Sequence, residues 1–263
     1  MRLTRTINYI LKHPLNKKHQ LSALLRFVKW QFISRICPYP VIVPFAEKSK
    51  LILKKGLTGA TGNHYCGLHE FEDMAFVLHF LKTDDTFVDV GANVGSYTLL
   101  GAVETGAKTI SFEPVPATFN ILQQNCAINN VTKKVKLYNL ALGSKKGTVK
   151  FTRTLDTVNH IATSTEQDTV EVPIDTADNA LDNENPALVK IDVEGYETEV
   201  LAGMQRILDN AGLKAIILEL NGSGTRYGYN EDLIHTNLLQ QGFKPYSYNP
   251  FIRQLTELKN MGI

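Results

Sequence analysis

Phe87-Val-Asp-Val-Gly-Ala-Asn-Val-Gly-Ser-Tyr-Thr98 reads as a short buried strand, a glycine turn and the first turn of a helix. Phe87, Val88 and Val90 are strand formers. Gly91 and Gly95 allow backbone angles and close approaches that a side chain would block. Asp89 is the only charge in an otherwise apolar strand, where a carboxylate is costly unless something satisfies it. Strand, glycine turn and helix together are how a doubly wound α/β sheet makes a nucleotide pocket at the carboxyl end of its first strand.

A dinucleotide fingerprint needs glycine at the first, third and sixth positions of such a turn. Counted from Gly91, the third is Asn93 and the sixth is Ser96, so the pattern fails. The form present, D-x-G-x-N-x-G, brings an acid and an amide to the turn. An acid there suits a ligand with an ammonium group, and S-adenosylmethionine carries both an ammonium and a sulfonium. Four more stretches follow in order: Ser111-Phe-Glu-Pro114, Asn139-Leu-Ala-Leu-Gly143, Lys190-Ile-Asp-Val-Glu-Gly-Tyr-Glu197 and Leu201-Ala-Gly203. Together with Asp89-Val-Gly-Ala-Asn-Val-Gly95 this ordered set resembles the FkbM family of class I S-adenosylmethionine-dependent methyltransferases, over roughly residues 65–245. The resemblance implies a Rossmann-like, mostly parallel seven-stranded sheet, S-adenosylmethionine as cofactor, and O-methylation of a sugar hydroxyl, a glycan or a related natural product.

The chain has 263 residues, 43% of them hydrophobic, which suits one α/β domain with additions. Its charge is unevenly divided. Eight of the 28 basic residues and none of the 26 acids lie within residues 1–46. A basic N-terminal arm (1–46) thus precedes a mildly acidic methyltransferase domain (47–263). Cys37, Cys66 and Cys126 show no metal spacing and read as thiols in a reducing cytoplasm. No run of 18 apolar residues is present, so no spanning helix is expected, and the N-terminus lacks the apolar region of a signal peptide.

Within the arm, Leu3, Ile7, Ile10 and Leu11 fall at helical spacing up to His13-Pro14. A second helix is expected from about Leu21 to Ile36, with Leu21, Leu24, Leu25, Val28 and Phe32 on one face and Ser22, Arg26 and Lys29 beside it. A basic amphipathic helix with a tryptophan can lie on an anionic membrane, giving peripheral contact through residues 1–36. The competing reading, packing on the domain or on a partner, is favoured because Trp30 and Ile33 fall off the main apolar face. Residues 56–67 are glycine-rich and polar and read as a loop near the pocket. Helices are expected at 70–81, 97–103, 117–129, 197–208 and 233–241, alternating with strands at 87–90, 109–112, 135–138, 187–193 and 215–220. Residues 153–169 read as a mobile polar loop that contains His160 and no aromatic side chain. A closing antiparallel hairpin is expected at 243–248 and 252–255. The sequence carries no signal for an oligomeric state.

Glu113 ends the second strand about 20 residues past the turn, where a doubly wound fold binds ribose hydroxyls. Asp89, Gly91, Asn93 and Gly95 are expected to hold the methionine end of the cofactor, and Asn139 and Ala141 to lie beside its adenine. Asp192 and Glu194 sit where the fourth strand meets its loop, the acceptor side in the family fold. Methyl transfer is an in-line displacement, so alignment supplies much of the rate. A hydroxyl acceptor also loses a proton, so Asp192, Glu194 and His160 are the candidate bases. Mg²⁺ on Asp192, Glu219 and Asn221 is a less favoured route, and no dedicated metal ligands are assigned. Glu70 and Tyr65 are placed to close over the cofactor. Two other classes remain at this point. One is a nicotinamide-dependent oxidoreductase, against which the failed glycine pattern and the lack of a Tyr-x-x-x-Lys pair both count. The other is a non-catalytic, membrane-associated binding protein. An acidic body without an N-P-P-Y motif disfavours nucleic acid.

Overall fold

The computed structural model describes residues 2–259. In chain order the strands are β1 (Val41–Pro44), β2 (Lys50–Leu53), β3 (Thr86–Val90), β4 (Lys108–Phe112), β5 (Val135–Tyr138), β6 (Ala141–Leu142), β7 (Gly147–Thr152), β8 (Thr169–Asp175), β9 (Leu188–Ile191), β10 (Ala215–Leu218), β11 (Tyr246–Asn249) and β12 (Gln254–Glu257). The central sheet has the order β10-β9-β3-β4-β5, and every pair in it is parallel. Parallel strands need crossovers, and helices Pro116–Ile128 and Glu197–Ala202 lie in two of them. The near-continuous apolar strands reflect a sheet covered on both faces. Side chains alternate along β3. Phe87 joins Leu99, Leu100, Leu122 and Cys126 in one core cluster, while Val88 and Val90 join Ile110, Phe112, Val189 and Ile191 in the other. Asp89 therefore points to the Phe87 side, beneath helix Ser96–Leu99.

The seven-stranded sheet expected is not seen among the described residues. The sheet has five strands, and β11 and β12 pair only with each other. Pro245 precedes this hairpin and has no N–H to give a ladder. Tyr248 instead rests edge-on against Phe76 and donates to or accepts from His79 across 2.6 Å, so the hairpin leans on helix Phe71–Phe80. A second small sheet, β6-β8-β7, covers the end of the domain next to the glycine turn.

Residues 56–67, expected as a loop, contain helix Thr58–Cys66. Its polarity misled because the helix lies between core and cavity. Asn63 is buried, donates to Ser96 Oγ at 3.0 Å and accepts from the His69 N–H at 2.8 Å. The helix expected at 197–208 is two, Glu197–Ala202 and Gln205–Leu208. Gly203 between them passes so close to Gly143 that an added Cβ would lie 2.0 Å from its carbonyl oxygen.

The arm forms helices Arg2–Lys12 and Gln20–Ile36. Ala23, Phe27 and Trp30 pack into a cluster with Leu53, Ala60, Tyr65, Cys66 and Val94. Arg26 donates to the Tyr65 carbonyl at 2.8 Å. The helix thus docks on the domain through the side bearing Trp30, and the apolar face picked out by periodicity is outermost. The boundary expected at 46/47 falls inside the β1–β2 hairpin. Among the described residues, no helix is long and apolar enough to cross a membrane.

Candidate active site

The carboxyl ends of β3, β9 and β10 open onto a cavity of about 920 Å³. That is within the usual range of roughly 300–1,000 Å³ for ligand pockets. The glycine turn forms its floor. The Gly91 and Ala92 N–H groups both donate to the Phe112 carbonyl, at 3.0 and 2.9 Å. Gly91 has φ +76°, and a Cβ there would lie 1.8 Å from the Asp192 carbonyl oxygen. Gly95 has φ +92°, and its Cβ would meet Leu122 at 2.4 Å. Asn93 takes the left-handed conformation at φ 49°, which asparagine tolerates. These constraints explain D-x-G-x-N-x-G: each position fixes where two strand ends or a helix can approach.

Glu113 is tied into that turn. Its Oε2 accepts from the Asn93 N–H and its Oε1 from the Val115 N–H, both at 2.9 Å. Each oxygen keeps a further acceptor site facing the cavity. Burial pushes its carboxyl up to about 7, against the two backbone donors that lower it. Asn139 donates to the carbonyls of Glu113 and Pro114, both at 2.8 Å, and so braces this segment from behind. Ala141 lines a small apolar recess that shares Gly91, Pro114, Phe151 and Val193 with the main cavity.

Across the cavity, Asp192 and Glu194 follow β9. Lys190, a buried lysine in the middle of an apolar strand, donates to Asp192 Oδ2 at 2.8 Å. Its ammonium also lies 4.8 Å from the centre of the Tyr97 ring. Burial alone lowers an ammonium, but Asp192, Asp89 and Glu70 together hold Lys190 above its ordinary value. Tyr97 donates its hydroxyl to Glu70 at 2.7 Å. Glu194 is held at φ 56°, a strained conformation for a residue that is neither glycine nor asparagine. Burial and then the Asp192 charge push its carboxyl up to about 7, and Glu219 is raised to about 7 for the same two reasons. Glu70, Glu113, Asp192, Glu194 and Glu219 all line the cavity, with Lys190 and Arg5 as the opposing cations.

Four residues expected in direct roles, Asp89, Gly95, Asn139 and His160, are not part of the cavity wall. Asp89 is fully buried behind the turn and is not part of the cavity wall. It accepts from Thr98 Oγ1 at 2.7 Å, while its other oxygen, Oδ1, is buried without a partner. Burial pushes its carboxyl up, and Lys190 and Thr98 oppose that. His160 also lies off the cavity wall. Its ring nitrogens bond the Val158 carbonyl at 2.8 Å and Glu166 at 3.0 Å, so it pins its own loop. Its neighbours Thr157, Val158 and Asn159 reach the cavity instead. Asp192, Glu219 and Asn221 share the cavity, but Asp192 is already engaged by Lys190. Among the described residues no group of three His, Cys, Asp or Glu side chains could hold a metal ion.

Lys190 escaped the sequence reading, although its position two residues before Asp192 on one strand face was a usable signal. The arm's share was hidden too: Arg5, Tyr9, Phe27 and Gln31 line the cavity, together with Tyr65.

The site is thus an acid-lined cavity over a glycine turn, at the carboxyl end of a parallel α/β sheet. The model of the methyltransferase FkbM domain matches residues 89–254, and the chain belongs to the FkbM methyltransferase family. That membership counts against the nicotinamide oxidoreductase alternative. The hexuronic acid methyltransferase AglP of Haloferax volcanii is 27% identical over 155 residues, 58% of this chain and 62% of that protein. Methyltransferase 1 of Beauveria bassiana is 30% identical over 149 residues, 46% of this chain and 59% of that protein. The chain thus spans less than two thirds of either relative. The solved structure of an FkbM methyltransferase from Methylobacillus flagellatus KT aligns at 17% identity with a TM-score of 0.47, covering 74% of this chain and 51% of that one.

Proposed function

We propose that this protein is an S-adenosylmethionine-dependent O-methyltransferase whose acceptor is a hydroxyl of a sugar, a glycan or a related natural product. The observation that carries the reading is the charge of the cavity. Five carboxylates face two cations there, and burial with mutual repulsion raises three of those acids to about 7. A ligand bearing an ammonium and a sulfonium relieves that repulsion, whereas an anionic pyrophosphate worsens it. The resemblance to a hexuronic acid methyltransferase supports a sugar acceptor.

When bound, S-adenosylmethionine supplies a methyl group already activated by positive sulfur. The chain's own residues bind and align. Glu113 accepts from the ribose hydroxyls with the lone pairs its backbone donors leave free. Gly91 and Asn93 shape the floor under the methionine end. Asp89 acts from behind by holding Thr98 and by helping to keep Lys190 charged. Asn139 and Ala141 frame the adenine edge without a hydrogen bond from the Asn139 N–H groups, which are spent on the backbone. Asp192, fixed by Lys190, orients the acceptor hydroxyl. Glu194 takes its proton, a role suited to a carboxylate titrating near neutral pH.

The test is transfer of isotope-labelled methyl from S-adenosylmethionine to a panel of hexuronic acids, neutral hexoses and oligosaccharides, read by mass spectrometry of the products. Methyl ethers formed by the wild type and lost in Glu194→Gln support the reading. No transfer to any hydroxyl of the panel by a wild type that binds S-adenosylmethionine would overturn it.

A further inference from the structure

Helix Gln20–Ile36 is apolar on two opposite sides, and only one is used by the fold. Ala23, Phe27 and Trp30 are buried in the domain. Leu21, Leu25, Val28, Phe32 and Ile36 recur at helical spacing on the other side, with Leu21 at 73% and Phe32 at 65% exposed. A continuous exposed stripe of large apolar side chains on one helix marks an interaction surface.

We propose that this stripe docks the protein on an anionic phospholipid surface. Charge selects that occupant. Lys29 and Arg35 lie on either flank of the stripe, and Lys17 and Lys18 stand at its entrance. No acid occurs anywhere in residues 1–46 to offset them. Each lysine or arginine near an anionic leaflet adds to the attraction. A second copy pairing through the same stripe would bring these cations against their own images, because a two-fold interface repeats one patch on both sides. An anionic bilayer neutralises them while taking up the leucines and Phe32. The buried face of the same helix sends Phe27 and Gln31 to the cavity wall, so docking would set the cavity one helix diameter from the lipid headgroups. The proposal does not depend on the reaction assigned to that cavity.

The test uses the full chain and sedimentation with vesicles of phosphatidylcholine alone or mixed with phosphatidylglycerol. The wild type should partition onto the mixed vesicles and release at high salt. Leu25→Gln with Phe32→Gln changes two exposed positions, so the fold is retained, which a thermal melt verifies. It should weaken partition about tenfold or more. Lys17→Glu with Lys18→Glu and Lys29→Glu should abolish the preference for phosphatidylglycerol. Three results would each overturn the proposal: no partition of the folded wild type, partition unchanged in the Leu25/Phe32 variant, or a wild-type dimer by light scattering that this variant dissociates and that binds no vesicles.

Discussion

Lys190 and Asp192 stand two positions apart at one strand end, joined by a 2.8 Å ion pair over the ring of Tyr97. The pair aims a carboxylate into a cavity crowded with other acids. It also shields Asp89, which is fully buried in the neighbouring strand opposite Lys190. Lys190→Met keeps the length of the side chain but strips both acids of their counter-charge. Removing one partner of a buried pair typically costs about 3–5 kcal/mol. Partial exposure of Asp192 reduces that, so a loss of about 2–3 kcal/mol in denaturant unfolding is expected, with methyl transfer falling by two orders of magnitude or more. Adding Asp192→Asn to Lys190→Met should restore part of the stability and none of the activity.

Gly91→Ala tests the close approach of the strand ends. The added Cβ lands 1.8 Å from the Asp192 carbonyl, and φ +76° is unfavourable for alanine. The backbone of Asp192 has to retreat. Reduced thermal stability and loss of S-adenosylhomocysteine binding are expected together, measured by differential scanning fluorimetry with and without ligand.

Acidity should tune ligand binding in a definite direction. Glu113 and Glu194 are both raised to about 7, from an ordinary value of 4.5. Between about 4.5 and 7 the folded protein holds protons that the unfolded chain has released. The ligand-free protein therefore loses stability as pH rises through that window, and the loss levels off above it. For buried Glu113 alone the effect is roughly 3 kcal/mol. A cationic ligand prefers the ionised acids, so affinity for S-adenosylmethionine should rise from about pH 6 to 8 with release of protons. Calorimetry in buffers of different ionisation enthalpy measures that release. In Glu113→Gln and Glu194→Gln the pH dependence should shrink.

His160 provides a contrast with the acids. Both ring nitrogens are engaged within its own loop, so no proton of the acceptor reaches them. His160→Asn should lower the melting temperature and leave the pH profile of methyl transfer unchanged in shape. Loss of the acidic limb of that profile would restore the histidine as a base.

Much of this architecture is legible in the chain because its physics is local. Strands β3, β4, β5, β9 and β10 stand out as apolar runs, and the turn at Gly91 as a steric requirement. Glu113 follows from register, since it ends the strand beside β3. What escaped depends on tertiary context. The helix Thr58–Cys66 looked like a loop because its polar side chains face a cavity rather than water. Periodicity marks the Leu21 face of the second arm helix as its main apolar face, but it is the side with Ala23, Phe27 and Trp30 that fits the domain. No local pattern says that β11 and β12 stay apart from β10. Asp89 was correctly singled out as a buried charge that needs a reason. The reason lies behind the turn, in Thr98 and Lys190, and alternation of side chains along β3 already implied that side.

The central claim is that the cavity over Gly91 binds S-adenosylmethionine through Glu113. Its most direct test is calorimetric titration of S-adenosylmethionine, and of its demethylated product, into the wild type and into Glu113→Ala shown to stay folded. Saturable binding by the wild type, weakened about a hundredfold or more in the variant, is the expected result, since two ribose contacts and the bracing of Asn93 are lost together. Absence of binding to the folded wild type, or equal binding by Glu113→Ala, would contradict it.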